Sequence, residues 1–174
     1  MTEAKGRRRD GTPSLDGREV TLELLGTNER EVAYIAGFFD GEGCVRIQEK
    51  LGRKRGGVSL RTQIVNAFPE PLRLCQRIFG GKVKLIRTRE NWSDLYGWEI
   101  YARKAETFLA VILPYLILKR EEATLGISFC AYRGTNSPQR EILAEQIKSL
   151  KSRNRIKGAP LPGSDLIPAE PADR

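Results

Sequence analysis

The sequence predicts an α+β domain in which helices cover one face of a four-stranded antiparallel sheet. Three observations carry that expectation. Segments with helical spacing alternate with paired segments of period-2 spacing, in the order helix, hairpin, helix, hairpin, helices. Most of the strand segments set apolar residues against polar and basic ones, so one sheet face can be buried and the other left open. Glycines mark the ends of two helices, after Phe39 and after Phe79.

Taken in order, residues 1–28 hold Gly6, Arg7–Arg9, Asp10-Gly11, Pro13 and Gly17 and read as a mostly irregular arm. Val20 to Leu25 is long enough for one short ordered piece. Glu29 to Phe39 has Val32, Ile35, Ala36 and Phe39 at helical spacing. Asn28 or Thr27 can cap this helix, acidic Glu29 and Glu31 sit in its first turn, and Gly41 and Gly43 should stop it. Cys44 to Lys50 alternates as a strand, with Arg46, Gln48 and Lys50 on one side and Val45 and Ile47 on the other. A basic loop, 51–57, leads to the returning strand Val58 to Asn66, where Arg61 and Gln63 oppose Leu60, Thr62 and Ile64. Pro71 to Phe79 is a second helix, closed by Gly80-Gly81. Lys82 to Arg87 is a third strand, with Lys82 and Lys84 opposing Val83 and Leu85. Leu95 to Ala102 is a fourth, with a less regular alternation. Lys104 to Leu113 is helical, and Pro114 is placed to begin a further helix reaching about Tyr132. The core of the domain is therefore 29–133. Residues 134–157 carry another helix, basic toward its end. Residues 158–174, with Pro160, Pro162, Pro168 and Pro171, read as a disordered tail.

Composition narrows the function classes. The chain has 174 residues, 30 Lys plus Arg, 22 Asp plus Glu and a formal net charge of +8. It contains no histidine, which excludes Ser-His-Asp and Cys-His triads and histidine-dependent nucleases. Three scattered cysteines without a CxxC support neither a zinc site nor a disulfide framework, and fit reduced thiols of an intracellular protein. No apolar run reaches a membrane span, and no basic amphipathic helix with exposed aromatics suits a membrane surface. The positive charge is concentrated. Between positions 46 and 89, twelve basic residues face only Glu49 and Glu70, a net +10 that coincides with the strands. A basic sheet face points to an extended polyanion.

Chemistry centres on Ile35-Ala-Gly-Phe-Phe-Asp-Gly-Glu-Gly43, which ends an apolar helix with two acids flanked by glycines. The helix dipole is negative there, so a second carboxylate is disfavoured unless a cation or a cap compensates. A carboxylate beside free helix-end carbonyls offers hard oxygen ligands suited to Mg²⁺. This segment resembles the signature of the LAGLIDADG homing endonucleases over nine positions, with conservative departures. It reads Ile for Leu, Gly for Ala in the acidic turn, and Glu for the second Asp. The predicted αββαββα order agrees over about 29–133.

The resemblance implies a homing-endonuclease fold and an enzyme, a Mg²⁺-dependent DNA endonuclease. It would cleave a long near-palindromic double-stranded site and promote mobility of its host intron or intein. The alternative is an intron RNA maturase or a non-cleaving DNA-binding protein of the same fold. By position, Glu42 would ligate the metal, helped by the Gly41 carbonyl, and Asp40 would be structural. Lys119, in Pro114-Tyr-Leu-Ile-Leu-Lys119, would stabilise phosphate charge or assist a water, and Asn66 would organise solvent. Arg46, Gln48, Lys50, Arg61, Gln63, Lys82 and Lys84 would face DNA, with Arg53 and Arg55 of the loop on phosphates. The motif occurs once, so the resemblance implies a homodimer with two or more Mg²⁺ ions, its interface formed by Ile35, Ala36, Gly37 and Asp40. Its partners would be DNA and itself, with no membrane and no small-molecule substrate. An Arg-rich composition favours a bacterial, phage or archaeal cytoplasm over an organelle.

Overall fold

The structure, a computed structural model, describes residues 21–49, 58–89, 92–132 and 137–153. Lys50, Arg53 and Arg55, the arm to position 20 and the tail from 154 lie outside the described residues. Helix α1 spans Leu22–Leu25 and α2 Glu29–Glu42. The hairpin β1 (Gly43–Glu49) and β2 (Val58–Asn66) follows, then α3 (Pro69–Phe79). A second hairpin, β3 (Lys82–Arg89) and β4 (Trp92–Tyr101), leads into α4 (Arg103–Ile112), a 3₁₀ turn at Leu113–Tyr115, α5 (Arg120–Ala131) and α6 (Pro138–Arg153). The sheet is antiparallel in the order β1-β2-β4-β3. The expected fold class therefore holds.

The alternation read from the sequence becomes a two-sided sheet. Val45, Leu60, Thr62, Ile64, Trp98 and Ile100 are buried on the inward side. Facing them is an aromatic hub, because Phe108 of α4 meets three other rings edge-on. Its ring centre lies 5.1 Å from Phe39 of α2, 5.0 Å from Phe79 of α3 and 5.1 Å from Trp98 of β4. Each such pair contributes about 0.5–1.5 kcal/mol beyond its buried area, and together they tie three helices to the sheet. Helix α5 lies close to the strands at Gly126, where an added Cβ would stand 3.1 Å from Leu60 Cδ1 and 3.2 Å from Val45 Cγ1. Helix α6 packs on α5 and along the β1 edge, and Arg140 donates from Nη2 to the Val58 carbonyl at 3.0 Å.

Several element ends shift by a few residues from the sequence expectation, and three departures have a clear local reason. Helix α2 does not stop at Phe39. Gly41 stays helical and the Gly43 N–H reaches back to the Phe39 carbonyl, so the helix runs on to Glu42. Asn28, rather than Thr27, caps its start by accepting from the Glu31 N–H at 3.0 Å. Pro114 does not begin a long helix. It sits in the 3₁₀ turn, an extended break follows at Leu116, and α5 starts only at Arg120. Strand β3 carries an irregularity between Leu85 and Arg87. Lys84 pairs with Gly97 and Arg87 with Leu95, so three steps on β3 match two on β4. The extra residue is Ile86, and it returns Arg87 to the outward side.

Candidate functional site

The acidic helix end divides its two carboxylates between different tasks. Asp40 is buried, and its side chain accepts three backbone N–H groups from the segment entering α5. Oδ2 bonds Ile117 N at 2.7 Å and Leu118 N at 3.2 Å, and Oδ1 bonds Lys119 N at 2.9 Å. The Lys119 ammonium in turn donates to the Asp40 main-chain carbonyl. One acid thus fastens the end of α2 to the start of α5, where the N-terminal dipole favours its charge. It also fixes Lys119 two residues before Glu42. Glu42 is the last residue of α2 and is exposed, as is Gly41 beside it. Among the described residues the Glu42 carboxylate has no hydrogen-bond partner. Asp40 thus bonds the helix end, and the Lys119 ammonium stands at the acidic turn.

A divalent metal can be tested against these donors. Among the described residues no cluster of three or more His, Cys, Asp or Glu side chains stands together. One protomer therefore offers Glu42 with nearby carbonyl oxygen, a hard but incomplete donor set. The residues present would fit a divalent metal only with further ligands from outside the protomer.

Asn66, at the end of β2, is engaged in a turn. Its Oδ1 accepts from Phe68 N at 2.9 Å, closing the turn that begins α3. It also shares the inward alternation of Thr62 and Ile64. The outward polar residue of β2 at this end of the sheet is Gln63, whose ladder partner Cys44 lies just past Gly43.

The outward face holds Arg46, Gln48, Arg61, Gln63, Lys82 and Lys84, as expected, and cross-strand pairing adds Arg87, Glu99 and Tyr101. Arg46 and Arg61 are direct partners in the ladder, an arrangement that repels unless something intervenes. Two neighbours resolve it. Arg46 donates to Cys44 Sγ at 3.1 Å. Arg61 turns the other way, to Gln48 Oε1 at 2.9 Å and Glu99 Oε2 at 2.6 Å. Lys84 lies 3.4 Å from Glu99 Oε1. Burial alone would raise the Glu99 carboxyl, but the Tyr101 hydroxyl and the charges of Arg61 and Lys84 outweigh it and hold it below the usual range. Ile86 covers Gly97, where an added Cβ would stand 2.2 Å from its Cδ1.

At the β1 edge, Lys151 of α6 reaches round to Cys44 Sγ at 3.0 Å. Burial opposes ionisation of Cys44, but hydrogen bonds from Lys151 and Arg46 outweigh it and leave the thiol below its ordinary value. Cys75 and Cys130 are pushed up to about 12 by burial. All three cysteines are free, and Cys44 and Cys130 are only half-buried. Lys119 and Lys151 share a cleft with Glu122, whose carboxyl is raised by burial against the pull of both lysines.

The interface residues read from the motif separate into two sets. Ile35 and Ala36 have no exposed surface and Asp40 is 8% exposed, so all three serve the interior of the protomer. Helix geometry turns a different stripe to solvent. It comprises Ala33, Tyr34, Gly37 and Gly41. Beside it, the segment pinned by Asp40 exposes Ile117 and Leu118, at 83% and 73%. Of the expected interface only Gly37 lies on this surface. The motif alone does not reveal which helix face a core will use.

Fold and site together define a class, a domain with one sheet face closed by helices and one open and basic, ending at the exposed Glu42 carboxylate. No protein-family model matches the sequence, and no curated protein matches it. Among solved structures the chain is similar to the homing endonuclease I-CvuI in complex with the I-CreI target and magnesium, with the DNA uncleaved. The TM-score is 0.57 at 24% identity, covering 71% of this chain and 85% of that one. It is similar also to the LAGLIDADG homing endonuclease I-SmaMI bound to cleaved DNA. There the TM-score is 0.50 at 20% identity, covering 70% of this chain and 42% of that one. The chain has the LAGLIDADG homing-endonuclease fold. Among the described residues no helix is long and apolar enough to cross a membrane.

Proposed function

We propose that this chain is a single-motif LAGLIDADG homing endonuclease, a site-specific enzyme that cuts double-stranded DNA as a homodimer and so promotes mobility of a host intron or intein. The observation that carries the reading is the exposed Glu42 carboxylate, unpartnered among the described residues, at the end of α2 where the basic outward sheet face begins. DNA laid along that face would bring a phosphate to Glu42. Arg46, Gln63, Lys82 and Lys84 would meet base edges and backbone, and Lys50, Arg53 and Arg55 of the hairpin loop would extend the contact. Magnesium, two or more ions per dimer, would activate a water and stabilise the leaving 3′ oxygen. Glu42 and the Gly41 carbonyl would hold it, with ligands from the partner and the phosphates. Lys119, fixed by Asp40, would neutralise developing phosphate charge. This chemistry needs no histidine. Cleavage selection from a randomised duplex library with magnesium tests the reading: enrichment of one long, near-palindromic sequence supports it, and recovery of uncut DNA only overturns it.

The homodimer reading is supported by the exposed α2 stripe and the flanking Ile117 and Leu118, an apolar surface that a second copy would cover. The single copy of the motif, and the match to less than half of I-SmaMI, support the same reading. An added Cβ at Gly37 meets nothing within 4 Å in the protomer. Gly37→Arg should therefore leave thermal unfolding of the protomer unharmed while converting dimer to monomer in sedimentation and abolishing double-strand cleavage. A variant that stays dimeric places the interface elsewhere.

A further inference from the structure

One side chain from every strand joins a chain across the outward face. It runs from Gln48 of β1 to Arg61 of β2, Glu99 of β4 and Lys84 of β3, with contacts of 2.9, 2.6 and 3.4 Å. Among the described residues Glu99 is the one acid on that face. We propose that Glu99 is a specificity-determining residue, the acceptor that demands an exocyclic amino group, cytosine N4 or adenine N6, from the base pair lying over the middle of the sheet. This rests on the endonuclease reading above.

The argument is one of satisfied and unsatisfied lone pairs. A carboxylate has about four acceptor sites. Arg61, Lys84 and the Tyr101 hydroxyl occupy three, and the side chain remains 22% exposed. One acceptor site is therefore left for a donor that covers the face. In the major groove cytosine and adenine present an amino donor, whereas guanine and thymine present a keto acceptor in the same zone. A keto oxygen set against Glu99 would leave two acceptors facing each other with no proton between them. Lysine and arginine accept nothing, so on base edges they select acceptors, guanine foremost, and cannot select an amino group. The lone carboxylate supplies the rejection that specificity needs. It also keeps Arg61 on the sheet: with Nη1 on Gln48 and Nη2 on Glu99, the guanidinium is held where it stands.

The test is cleavage selection from a randomised duplex library with magnesium, run on the wild-type protein, Glu99→Gln and Glu99→Ala. Glu99→Gln keeps the shape and an oxygen for Arg61, so it guards against loss of folding, while its amide can meet donors and acceptors alike. The wild type should show cytosine or adenine at one position of each half-site, mirrored about the centre. Glu99→Ala should lose that preference by about tenfold or more and keep the others, whereas Glu99→Gln should lose a preference for cytosine and retain one for adenine, which an amide reads through N6 and N7. A consensus unchanged at every position, or relaxed equally at all of them, would overturn the proposal. Failure of the wild type to enrich any sequence would instead sink the endonuclease reading, and this assignment with it.

Discussion

Replacing Glu42 with glutamine should yield a folded, dimeric protein that binds its DNA and no longer cuts it. Cleavage should fall by at least about 100-fold, the upper end of what losing even an outer-shell partner of a bound metal costs. The fold should not suffer. Glu42 is exposed at the negative end of the α2 dipole, so neutralising it removes an unfavourable interaction of about 0.3–1 kcal/mol. The melting temperature should hold or rise slightly. Parallel binding, cleavage and melting measurements separate these effects. Cutting at the wild-type rate by Glu42→Gln would remove this carboxylate from the chemistry.

Asp40→Ala should do the opposite to stability. It deprives three backbone N–H groups of a charged acceptor at the joint between α2 and α5. Two of the three residues are exposed, so water can replace part of what is lost, and the cost should be about 3 kcal/mol. For a chain of this size that lowers the melting temperature by about 6–12 °C. Asp40→Asn keeps one acceptor oxygen and should lose roughly half as much. Because the same carboxylate positions Lys119, cleavage by Asp40→Ala should be impaired even at temperatures where the variant is fully folded. A variant that melts together with the wild type would show that the turn is held by something else.

These two residues also show what a sequence can reveal. Strands with strict alternation were legible: β2 begins and ends at the residues its period-2 pattern indicates, because burial of one face dictates that pattern. The two acids of the motif and Lys119 were legible as a group because the motif resembles a known signature. The joint itself was not. Asp40 and Ile117 are 77 positions apart, and nothing local announces that a carboxylate on one helix caps the entry to another. Without that bond Pro114 looks like a helix start and the glycines look like a stop. In the folded chain a glycine costs the helix only about 1 kcal/mol, which the packed end of α2 overrides. Arg87 and Glu99 were missed for related reasons. Arg87 has the sequence parity of Val83 and Leu85, and only the extra residue in β3 turns it outward. Glu99 sits in the strand with the least regular alternation, and its partners come from two other strands.

The extra residue in β3 has a consequence for how the chain can change. Along β1 and β2, substituting every second residue alters what the protein touches without altering what holds it together. A lineage could therefore drift to a new target there by point substitutions alone. Ile86 is different, because it stands in the ladder as the extra residue. Deleting it would set Arg87 directly after Leu85, still opposite Leu95 and still outward, in a regular pairing. A change of length that would exchange the two faces of β1 or β2 should therefore be tolerated at this one point of β3, at the cost of uncovering Gly97.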